Sequence, residues 1–78
     1  MTILEDLRDA LKARLAVVSD HALRDRDSVA HLSALKAAAG RLDTLVAQLP
    51  RDTDPMLRHF LERQSYLKAV AFLDEKLA

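Results

Sequence analysis

The chain has no cysteine and no tryptophan, one glycine, two prolines, one tyrosine and two phenylalanines in 78 residues. Without cysteine, neither a disulfide nor a thiolate zinc site can staple so small a core. A single glycine rules out a glycine-rich phosphate cradle. So few turn formers, with few β-branched residues, leave little from which to build strands and hairpins. Net charge is also missing: twelve basic residues balance twelve acidic ones, and each half of the chain carries six of each. Nucleic-acid affinity rests on phosphate neutralisation by a basic surface, so this balance argues against that class. No apolar run reaches the roughly 18 residues of a membrane span, and MTILEDLRD turns acidic too early for a signal peptide. A cytoplasmic protein is the expectation.

What remains is rich in helix formers. Half of the residues are hydrophobic, with alanine and leucine foremost, and this predicts one all-α domain over residues 1–78. Thr2 and Glu5 have the spacing of a capping box. From there Leu4, Leu7, Leu11, Leu15, Val18 and Ala22 recur every three or four residues, predicting a helix over 2–24. Leu32, Leu35, Ala39, Leu42, Val46 and Leu49 form a second seam. Carried backwards, that seam would bury Asp25 and Ser28, so a turn is placed at 25–28 with Asp27 or Ser28 as N-cap. The second helix then covers 28–49. Within it, KAAAG (36–40) offers a small face against which a neighbouring helix is expected to pack closely. Pro50 ends the helix, and Asp54 with Pro55 opens a third over 54–77. Similar lengths and short loops predict an antiparallel up-down-up bundle of three helices.

Candidate chemistry is thin. His21 and His31 flank the first predicted turn and, with Asp20 or Asp25, would supply nitrogen and oxygen metal ligands. Their spacing matches no metal motif, and histidines at helix ends commonly complement the dipole. His59 and Glu62 share a face at i, i+3, but reverse the Glu-x-x-His order of di-metal bundles. His31 and Lys36 are spaced too far apart for a phosphotransfer histidine. Ser19, Ser28, Ser33 and Ser65 lack a placed His–acid pair for nucleophilic catalysis. No enzyme activity, metal or cofactor is expected.

The third predicted helix carries more apolar surface than two neighbours can cover. Met56, Phe60, Leu67, Val70 and Ala71 centre an arc of roughly 260° at 100° per residue, against a usual stripe a little over 100°. Tyr66, Val70, Phe72, Leu73 and Leu77 are therefore the expected partner interface. The function expected is a small non-catalytic protein-interaction or oligomerisation module, first of all a homodimer. A nucleic-acid-associated regulator and a histidine–carboxylate metal-binding bundle are the alternatives from other classes.

Overall fold

The computed structural model describes residues 2–78, and among them there are helices and no strand. Five helices follow one another: α1 (Ile3–Val18), α2 (His21–Arg26), α3 (Ser28–Ala47), α4 (Pro55–Glu62) and α5 (Tyr66–Leu77). Three longer helices were expected, and two breaks account for the difference.

Local chemistry sets most boundaries. The capping box at the start of α1 is complete, with the Glu5 amide donating to Thr2 Oγ1 and the Thr2 amide donating to Glu5 Oε1, each at 3.2 Å. Asp27 Oδ1 accepts from the Ala30 amide at 3.0 Å and opens α3. Asp54 accepts from the Met56 amide at 2.8 Å, with Pro55 at the first helical position of α4. The first unexpected break follows Val18, where Asp20 caps the short α2 through the Leu23 amide. An ordinary N-cap at Asp20 thus divides the first predicted helix, while Asp27 caps α3 at the boundary the sequence predicts.

The second break divides the third predicted helix. Gln64 adopts a left-handed conformation, φ 56°. Its amide donates to the Leu61 carbonyl, and the Ser65 amide donates to the Phe60 carbonyl at 2.8 Å. This is a Schellman termination with glutamine where glycine is usual. The chain then folds back, so that α4 and α5 form a helical hairpin rather than one rod.

The central helix is α1, which packs on α3 and on α5. Both run opposite to it. His31, early in α3, meets Val17 at the end of α1, while Pro50 beyond α3 shares a groove with Ile3 and Leu4. Tyr66 lies beside Arg14, and Leu77 beside Ile3 and Leu4. The core is leucine-built: Leu7, Leu11, Leu42, Leu57, Leu61 and Leu73 are buried together with Ala10, Ala69 and Leu49. The molecule measures 42 × 25 × 21 Å with a radius of gyration of 13.2 Å. A compact domain of this length has about 11–12 Å. The elongation lies at one end. The α4–α5 hairpin stops level with Arg14, leaving the last turn of α1, all of α2 and the first turns of α3 without a third layer.

Candidate interaction surface

The two faces of the hairpin explain the excess of apolar residues at 54–77. On α4, Leu57 and Leu61 point into the core, and on α5 Tyr66, Ala69, Val70, Leu73 and Leu77 do so at spacings of three and four. Extending α4 as a single rod would bury the face one residue out of phase with the α5 face. Two ordinary stripes laid on one wheel therefore look like a single arc that is too wide.

The five residues expected at a partner interface thereby become the α5 wall of the chain's own core. Leu73 is fully buried and has no surface to offer. Tyr66, Val70, Phe72 and Leu77 are half-buried and pack against the core. The Arg14 guanidinium stacks over the Tyr66 ring at 4.7 Å, and the Lys76 ammonium sits 5.6 Å from the centre of the Phe72 ring. Phe72 and Leu77 keep an edge on an open groove of about 470 Å³, lined also by Ile3, Leu4 and Leu57. Met56, Leu67 and Ala71, placed at the buried centre of the arc, are exposed instead.

Besides Met56 and Leu67 on the hairpin, large apolar side chains are also bare at the opposite end. Val18 is 45% exposed, Val29 74% and Leu32 51%. Val18 continues the core stripe of α1 past the point where α5 begins, whereas Val29 and Leu32 lie on the outer face of α3, away from His31, Leu35 and Leu42. Gly40 is exposed, and a Cβ placed on it would meet nothing within 4 Å, so the close helix contact expected at KAAAG does not form at Gly40, while Ala38 and Ala39 of that stretch are half-buried.

The histidines separate in role. His31 is buried, and its Nε2 lies 2.8 Å from the Val17 carbonyl at the C-terminus of α1, which also accepts from the Asp20 amide at 3.1 Å. The tautomer carrying hydrogen on Nε2 makes that bond. His21 is exposed beyond it, and His59 stands exposed beside the Phe60 ring. Among the described residues no group of three or more His, Asp and Glu side chains converges as a metal ligand set. Asp74 on α5 receives Lys12 at 3.1 Å and Arg8 at 3.8 Å, both from α1. Among the described residues no helix is long and apolar enough to cross a membrane.

Comparison with known proteins adds no identity: the chain matches no protein-family model, no curated protein and no solved structure.

Proposed function

We propose that this chain is a small protein-interaction module that works by self-association, in an assembly, adaptor or regulatory role, without catalysing a reaction. The observation that carries this reading is the uncovered end of the α1–α3 pair, where Val18 at the end of α1 and Val29 and Leu32 on the outer face of α3 stand exposed. Single exposed aliphatics are ordinary, but several on adjoining elements at one end form the kind of patch that marks an interaction site. Burying a Val or Leu side chain is worth about 1.5–3 kcal/mol, so three of them partly covered would supply several kcal/mol to an association. Lacking staples, a 78-residue chain gains from such an association more than a larger domain does.

Light scattering over a concentration series tests the proposal. The wild type is expected to gain mass towards a dimer as concentration rises. The combination Val29→Glu with Leu32→Gln should keep the helical circular dichroism and remain monomeric. A wild type that stays monomeric to millimolar concentration would overturn it.

A further inference from the structure

The outer face of α3 carries a second periodic stripe, distinct from the one in the core. Val29, Leu32, Lys36, Gly40, Asp43 and Ala47 recur at spacings of three and four, and all six are exposed. At 100° per residue they fall within about 80° of one another, along a helix about 30 Å long. Neither Lys36 nor Asp43 forms an ion pair among the described residues, where the pairs are Arg8–Asp74, Lys12–Asp74 and Arg24–Asp25. The two charges flank Gly40, four residues before it and three after.

We propose that two copies of this chain pair through this face, their α3 helices antiparallel and crossing at Gly40, with Lys36 of each copy against Asp43 of the other. The pairing rests on the self-association proposed above and specifies its surface and symmetry. A two-fold axis beside Gly40 exchanges the positions before it with those after it, so both Lys–Asp contacts form at once. A parallel pairing would instead set lysine against lysine and aspartate against aspartate. The same axis lays Leu32 of one copy against Ala47 of the other and brings Val29 towards Pro50 of the other. Glycine is the costliest residue after proline in a helix interior, and no contact within the chain requires it at position 40. At the crossing point its missing side chain lets two backbones approach closely. A single helix–helix contact lies at the small end of interface sizes, which fits a dimer of micromolar rather than nanomolar affinity.

Charge reversal followed by sedimentation velocity at low salt provides the test. An exposed ion pair is worth a factor of about 1.5 to 5, and two pairs change sign in each variant, so Lys36→Glu alone and Asp43→Lys alone should each weaken dimerisation about tenfold. Mixing the two variants should restore it as a heterodimer, and so should the double variant Lys36→Glu/Asp43→Lys by itself. This restoration separates an ion pair across the dyad from damage to the fold. If the wild type dimerises and none of the reversals alters or restores its affinity, self-association stands and this face is wrong. A wild type monomeric at millimolar concentration removes both.

Discussion

The Phe60 ring meets the Phe72 ring edge-on across the α4–α5 hairpin, with centroids 6.3 Å apart and planes at 72°. One straight helix would hold these two residues about 18 Å apart, twelve positions along the same rod. Their contact exists only because the chain reverses at Gln64. Phe60→Leu and Phe72→Leu should therefore be coupled, with about 0.5–1.5 kcal/mol lost from each single change that is not lost again in the double. Urea denaturation of the four proteins measures this coupling, and additive losses would speak against the hairpin.

Gln64 pays for that reversal with a left-handed backbone that costs a non-glycine residue roughly 1–2 kcal/mol. Gln64→Gly relieves this strain while adding chain entropy to the unfolded state, for a net gain of about 0.5–1 kcal/mol. Gln64→Val should lose stability, because a β-branched residue tolerates positive φ worst. Thermal melts of both variants give the two signs.

This turn is also where the sequence was least legible. Arg63, Gln64 and Ser65 include neither glycine nor proline, the residues that announce most helix ends, and the stop is written only in a backbone geometry that a poor residue adopts. The clue available was indirect. An arc of 260° is too wide for one helix, and a break that rotates the second half is one way to resolve it; a partner is the other. By contrast, Thr2–Glu5, Asp27 and Asp54–Pro55 were legible because capping is local chemistry between neighbours in sequence. Asp20 carried the same type of signal, but it lies within an unbroken apolar periodicity that hid it. The proposed α3 surface was not legible from periodicity alone. How much of the far end of α1 stays bare depends on how far α5 reaches along it, and that follows from the break at Gln64.

Gly40→Ala should stabilise the dilute monomer by about 1 kcal/mol, since it removes a helix-interior glycine and the added methyl has open space. Denaturant titration at low protein concentration reads this gain directly. A loss of stability there would mean that the Gly40 face is covered within the chain.

Glu5 brings a modest pH dependence. The Thr2 backbone amide, and then its hydroxyl, hydrogen-bond to the carboxylate and hold Glu5 below its usual range. A lowered folded-state pKa stabilises the fold above the unfolded value and loses that contribution as pH falls through the folded one. Acidification should therefore loosen the first turn of α1 before the core opens, with amide exchange rising at Glu5 and Asp6. Thr2→Ala, which leaves only the backbone bond, should move that transition to higher pH.

In the proposed dimer, copies of this chain meet through the outer face of α3 rather than through the α4–α5 hairpin. Amide chemical shifts followed by NMR as the protein is diluted from millimolar to micromolar concentration test it residue by residue. Concentration-dependent shifts should centre on Val29, Leu32, Lys36, Gly40 and Asp43, with Val70 and Leu73 unchanged. Spectra that do not change on dilution, or changes confined to α4 and α5, would contradict it.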